Sequence, residues 1–293
     1  MSKFRLAWAR QCGERKAKEL GFSRFPIDPF AIAEGEDIMV VPKQPDHPGV
    51  SGGIIFGDQV GIFYATDITS QGFQRFTVGH ELGHYFLEGH PAEILKSAPL
   101  HVSSAGFTEG GTSIELEADH FASGLLMPSV LVRKLLDRER IGLESIEALA
   151  DASLCSLTAA AIRTAECSAD PVAIIVSRGE VVCYAFLSER FKKLGRLDFL
   201  RKGDTLPETL TRRFNARGSN VIDRERACDA VSLRDWFGTP SEVELDEQVL
   251  GLGRYGLTLT ILTSDAPPPD PAEEKNEEEQ LIESYTPKFA YGR

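Results

Sequence analysis

The sequence predicts an α+β protein of more than one part. Apolar residues recur at helical spacing over 71–87 and 114–127, and apolar and polar residues alternate between turn signals over 49–65, 172–187 and 242–263. The chain has 293 residues and 42% hydrophobic content, which suffices for two compact domains or for one domain with appendages.

Three strands are predicted between residues 37 and 65. Residues 37–41 form one strand, and 49–56 and 60–65 form a hairpin joined across 57–59. An exposed edge of this sheet could bind an extended peptide by strand addition, and a covered edge is the alternative.

The next element is a helix over 71–87 that carries two histidines four residues apart. Thr69 and Ser70 offer N-cap oxygens, and apolar side chains on two faces predict a helix buried on both sides. His80 and His84 share one face, so both rings can reach one metal ion at about 2.0–2.1 Å. Glu81, turned by about 100°, remains available as a base. The alternative is a pair of histidines with satisfied hydrogen bonds on a helix face.

A third metal ligand is predicted on a second amphipathic helix over 114–128. Glu115 projects inside the apolar arc of this helix, where a carboxylate needs a partner. Glu117 falls about 60° outside the arc and is predicted to be a solvated charge. We therefore predict Glu115 as the third ligand. We also expect Asp119, one turn on, to accept the second ring N–H of a ligand histidine.

Two segments, RFTVGHELGHYFL from Arg75 and ELEADHFASGLLMP from Glu115, together resemble the ImmA/IrrE family of metallopeptidases. The resemblance implies a zincin-like domain that holds zinc on two histidines and one glutamate and uses a second glutamate as base. It also implies proteolytic inactivation of a repressor that carries a helix-turn-helix.

Carried over residue by residue, the resemblance assigns the metal to His80, His84 and Glu115 and catalysis to Glu81. Asp119 stands where asparagine is common in the family, which changes the charge beside the ligands. Ligand type and abundance favour zinc, and manganese and iron are the alternatives, with Mn²⁺ the first of them.

In the expected reaction, a metal-activated water loses its proton to Glu81 and attacks a peptide carbonyl. The developing oxyanion needs a further donor. Tyr64, His90 and His101 are the nearest candidates in sequence, and each has a structural role as its alternative.

The segment 141–168 has the outline of a helix-turn-helix. Its second helix offers only Arg163 as a base, and the chain carries a formal net charge of −12, which repels phosphate. We therefore expect these helices to pack rather than to bind DNA.

Residues 169–264 are predicted to form an antiparallel sheet with a few helices. By resemblance to IrrE-type relatives this domain would be GAF-like, sensing a small molecule or orienting the substrate. The glycine run 251–256 is interpreted as a hairpin turn, because no phosphate-loop lysine follows it. The predicted domains are 1–140 (peptidase), 141–168 (helical segment), 169–264 (C-terminal domain) and 265–293 (acidic disordered tail).

No apolar run reaches the length of a membrane span, and the first 20 residues lack the pattern of a signal peptide, so we expect a cytoplasmic protein without membrane contact. Five scattered cysteines predict neither disulfides nor a second zinc site.

The function predicted is that of a zinc endopeptidase that cleaves a helix-turn-helix repressor and so derepresses genes of a stress response or a mobile element. One alternative is a DNA-binding transcriptional regulator. The other is a module that keeps the metallopeptidase scaffold and only binds a partner.

Overall fold

A computed structural model describes residues 3–43, 49–68, 70–104, 113–137, 140–239, 241 and 243–266. The chain divides into two compact units, Met1–Ser168 and Ala169–Arg293. Helices and sheets occur in both units, which confirms the α+β prediction. The acidic tail predicted over 265–293 lies outside the described residues beyond Ala266.

The first unit combines eight helices with a four-stranded sheet in the part of the chain that the structure describes. Its helices are α1 (Lys3–Glu19), α2 (Pro29–Gly35), α3 (Gln71–Phe86), α4 (His90–Leu95), α5 (Ser113–Leu126), α6 (Ser129–Leu136), α7 (Leu143–Ser153) and α8 (Leu157–Cys167). Its strands are β1 (Met39–Pro42), β2 (Val50–Phe56), β3 (Val60–Tyr64) and β4 (Leu100–Ser104). The sheet order is β1-β3-β2-β4, with β1 parallel to β3 and the other pairs antiparallel. The predicted β2–β3 hairpin is confirmed, whereas β4 was not predicted.

Helix α3 lies between the sheet and α5. Ser70 caps its start by accepting a hydrogen bond from the Phe73 amide at 3.4 Å. The predicted burial on both sides is confirmed, since Val78 and Leu82 are fully buried. The two helices approach closely at Gly83, where a Cβ would lie 3.0 Å from Ala118 Cα and 3.2 Å from Ala118 O. Glycine at this position therefore lets α5 come close to α3.

Helix α1 packs directly on α5 through a glycine on each helix. A Cβ at Gly13 would overlap the carbonyl oxygen of Phe121, and a Cβ at Gly124 would overlap that of Arg10. The two backbones can cross at this distance only because neither residue has a side chain.

Arg163, the base of the helix-turn-helix-like segment, is 1% exposed. Its guanidinium donates to Glu14 at 2.9 Å, to Glu166 at 2.7 Å and to the Met127 carbonyl at 2.7 Å. This side chain joins α8 to α1 and to the end of α5, so it is not presented to a phosphate.

Among the described residues no single helix is long and apolar enough to cross a membrane. Helices α7 and α8 together have the required length and composition, but the chain bends by 112° between them.

The second unit is built on an antiparallel five-stranded sheet in the order β6-β5-β9-β8-β7. The strands are β5 (Val172–Arg178), β6 (Val181–Leu187), β7 (Arg226–Ser232), β8 (Glu244–Gly251) and β9 (Thr258–Thr263). Short helices α9 (Leu210–Asn215), α10 (Gly218–Ile222) and α11 (Leu233–Phe237) and 3-10 turns at Phe191–Lys193 and Gly253–Tyr255 complete it. The glycine run joins β8 to β9, as predicted, while β7 lies in a stretch where no strand was predicted.

Candidate metal centre

Three side chains from α3 and α5 meet at one point inside the first unit. His80 Nε2 lies 3.1 Å from His84 Nε2, while Glu115 Oε2 is 3.4 Å from His80 Nε2 and Glu115 Oε1 is 3.4 Å from His84 Nε2. Ligands about 2.0–2.1 Å from a tetrahedral zinc ion are separated from one another by about 3.3–3.4 Å. The spacing of these three donors therefore fits a single zinc-sized ion, and the group is one that could hold a metal.

Two buried polar atoms of this cluster lack a well-directed hydrogen bond among the described residues. Glu115 Oε1 and His101 Nε2 are buried and lie 2.8 Å apart, yet neither has a directed hydrogen bond within the described part of the chain. Buried polar atoms without partners are costly, and a bound cation would satisfy the Glu115 oxygen. The arrangement thus fits a divalent ion with nitrogen and oxygen ligands.

Asp119 lies beside the outer nitrogen of His80, with Oδ1 2.8 Å from Nδ1. This contact places the ring proton on Nδ1 and directs Nε2 towards the other two donors. Burial lowers the pKa of His80, but its hydrogen bonds to Asp119 and Glu115 outweigh this and raise the pKa to about 10. Without a metal, His80 is therefore a protonated ring among carboxylates.

His84 is held from behind by a second histidine. Its Nδ1 lies 3.2 Å from His90 Nδ1, and His90 Nε2 lies 3.3 Å from Glu117 Oε2. Burial lowers the pKa of His84 to about 3, more than its contact with Glu115 raises it. A neutral His84 ring keeps a lone pair for a metal.

The prediction that Glu117 is a solvated charge was wrong. Glu117 is 1% exposed, and its carboxylate accepts hydrogen bonds from Arg5 at 2.6 and 2.8 Å. Helix α1 covers this face of α5, and the apolar arc of α5 alone could not reveal a partner so distant in sequence. Arg5, Glu117 and His90 thus form a chain of polar contacts that ends on the His84 ring.

Glu81 is fully buried on the neighbouring face of α3. Ser103 Oγ donates to its Oε1 at 2.7 Å, while Oε2 has no hydrogen-bond partner among the residues described. Burial raises the pKa of Glu81 to about 7, against the opposing effects of His80 and Ser103. A carboxyl group fixed through one oxygen, with a pKa near neutrality, is suited to accept and return a proton.

The three oxyanion candidates occupy different places. His101, on β4, lies next to the cluster, with its ring centroid 4.5 Å from that of His84. His90 lies behind His84, and Tyr64 packs edge-on against Phe30 at 5.2 Å. Ser103 was missed at the sequence level; the only available signal was that it alternates with His101 on a short strand.

Comparisons with known proteins agree with this geometry. Residues 44–164 match a family model described as Peptidase_M78, IrrE N-terminal-like domain. The chain is similar in structure to a Mycobacterium tuberculosis transcriptional regulator, with a TM-score of 0.56 and 12% sequence identity. The matched region covers 87% of this chain and 76% of the regulator, and it shows a shared fold. No curated protein gave a match.

Proposed function

Because residues 44–164 belong to the IrrE N-terminal-like family of ImmA/IrrE proteins, we propose that this chain is a zinc-dependent endopeptidase with a zincin-like domain. One observation carries the proposal. Three side chains whose ligand atoms are close enough to share one ion lie in the same cluster as buried Glu81, whose carboxylate is fixed by only one of its oxygens. A merely structural histidine pair would need neither the third donor nor the buried acid.

The proposed ligands are His80, His84 and Glu115, and Glu81 is the proposed base. Zinc held there would supply Lewis acidity to a substrate carbonyl and to a water molecule. Glu81 Oε2 takes the proton from the attacking water and later delivers it to the leaving amine. Ser103 keeps the other oxygen of Glu81 in place throughout.

The residues around the ligands fix ring orientation. Asp119 holds His80 through Nδ1, and His90 holds His84 in the same way, so that both Nε2 atoms point to the metal position. His101 is our proposed donor to the oxyanion, since its ring borders the cluster from the strand side.

The substrate segment is proposed to bind along β4, which ends the sheet opposite β1 within the described residues. Leu100 and Val102 are exposed on this strand, while His101 and Ser103 point to the site. An extended peptide added to this edge by backbone hydrogen bonds would pass the proposed base.

The substrate we propose is a helix-turn-helix repressor in the cytoplasm, whose cleavage derepresses stress-response or mobile-element genes. The family match and the regulatory name of the similar structure support a regulatory peptidase. The second unit, proposed to be GAF-like, would sense a signal or orient the substrate. DNA binding by this chain is not proposed, because Arg163 is buried in ion pairs.

The test is to incubate purified protein with the repressors encoded beside its gene and to compare Glu81→Gln with Glu93→Gln. Glu93 is an exposed glutamate on α4, so its variant controls for loss of one charge. We expect Glu81→Gln to keep stoichiometric zinc and to cleave about 10²–10⁴-fold more slowly. Unchanged cleavage would refute the role of Glu81. If repressor control persisted without any cleavage, the chain would instead be a partner-binding module.

A further inference from the structure

The second unit contains a buried carboxylate that lines a cavity and that belongs to no predicted site. Glu247 on β8 is 0% exposed, although a charged side chain in the middle of a sheet is unusual. It lines a cavity of about 590 Å³ between the start of α9, strands β7 and β8, and the start of α11. This volume lies in the range of small-molecule sites and far exceeds that of one water molecule.

The carboxylate of Glu247 is held through only one oxygen. Oε1 accepts hydrogen bonds from the Thr211 amide at 2.8 Å, the Thr211 hydroxyl at 2.6 Å and the Thr209 hydroxyl at 3.2 Å. Both threonines are buried, and Thr260 supports Thr211 through a 2.7 Å hydroxyl contact. Oε2 has no partner among the described residues. Three donors on one oxygen fix the orientation of the group and leave the other oxygen, which is itself buried, without a partner among the described residues.

The charge of the cavity wall favours a cation. Five carboxylates line it, namely Glu208, Asp229, Asp235, Glu244 and Glu247, against the guanidinium groups of Arg213 and Arg234. Arg213 is engaged by Asp229 at 3.1 Å, and Glu208 is engaged by Arg212 at 2.6 Å. The remaining wall is therefore acidic, with Glu247 at its buried end.

From this geometry we propose that the second unit binds a small organic amine in this cavity, with its ammonium group donating to Glu247 Oε2. An ammonium group offers N–H donors and a positive charge, both of which the unpartnered oxygen lacks. The exposed acids of the wall would interact with a second positive group, which favours a diamine over a monoamine. This site is independent of the proposed peptidase chemistry.

Isothermal titration calorimetry on the full chain tests this proposal with putrescine and agmatine as probes and the neutral 1,4-butanediol as the matched control ligand. We expect saturable one-to-one binding of at least one amine and none of the diol. Glu247→Gln keeps an acceptor for Thr211 and replaces Oε2 by a donor, so it should weaken binding at least about tenfold. Glu189→Gln, which changes a side chain that is 87% exposed, should bind as the parent does.

Three results would overturn the proposal: no saturable binding of either amine, equal binding by Glu247→Gln, or binding of Ca²⁺ in preference to both amines. Circular dichroism checks that Glu247→Gln is folded. Should it fail to fold, Glu244→Gln at the exposed part of the wall takes its place, with an expected weakening of about two- to fivefold. Unchanged affinity in that variant would also count against the site.

Discussion

The close approach of α3 and α5 at Gly83 can be tested by adding a single methyl group. A Cβ at Gly83 would lie 3.0 Å from Ala118 Cα, so α5 must retreat by about 0.4 Å to restore an ordinary contact of 3.4 Å. At Gly79, one turn earlier, the same atom would lie 3.4 Å from Ala122 Cβ and 3.5 Å from Leu126 Cδ1, which is normal packing. Gly79→Ala is therefore the matched control for Gly83→Ala.

Both variants gain about 1 kcal/mol of helix propensity, so this contribution cancels between them. Only Gly83→Ala adds overpacking against backbone atoms, which costs about 1–3 kcal/mol. We expect Gly83→Ala to be less stable than Gly79→Ala by that amount. It should also bind zinc more weakly, because Glu115 moves with α5.

Hydrogen exchange of the metal-free protein, followed by mass spectrometry on peptides covering α3, measures the local opening free energy in each variant. Zinc affinity is measured separately by competition with a chelating dye. If Gly83→Ala protects α3 as well as Gly79→Ala does, the helices can separate without cost and the packing argument fails.

Three further predictions concern the charged groups. His80 has a pKa of about 10 in the metal-free protein, above its ordinary value, so zinc must displace a proton when it binds. Calorimetry at pH 7 in two buffers should therefore detect the release of at least about one proton. The affinity for zinc should also rise as the pH increases towards 10. His90→Gln should reduce zinc affinity about 10–100-fold in dye competition while circular dichroism stays unchanged; unaltered affinity would mean that His90 does not hold His84. Arg163→Met should cost about 1–3 kcal/mol in urea unfolding, because the Met127 carbonyl loses its buried donor and Glu14 loses its ionic partner, and a cost below about 0.5 kcal/mol would contradict this.

The structural features that the sequence could predict are those whose pattern lies within a short stretch of neighbouring residues. Helices α3 and α5 each carry their own period, so the two motif histidines could be placed on one helix face and Glu115 inside the apolar arc of the other helix. The hairpin of β2 and β3 was equally local. These features depend on residues only a few positions apart.

The features that were missed depend on distant contacts. Glu117 is buried because Arg5, 112 residues earlier, reaches it from α1. Ser103 meets Glu81 only once β4 has paired with β2, and β4 itself is a five-residue strand without strong alternation. Similarly, the three hydrogen-bond donors to Glu247 come from Thr209 and Thr211 at the start of α9, 36 to 38 residues away in sequence.

The segment that matches the family begins at residue 44, and α1 lies wholly before it. A shortened protein starting at residue 44 would lack Arg5 and Glu14, leaving the Glu117 carboxylate and the Arg163 guanidinium each without one ionic partner. It would also uncover the groove at Gly124 that α1 fills. A shorter protein that is meant to keep the metal centre should therefore start upstream of α1, because this helix forms one wall of the core around α5.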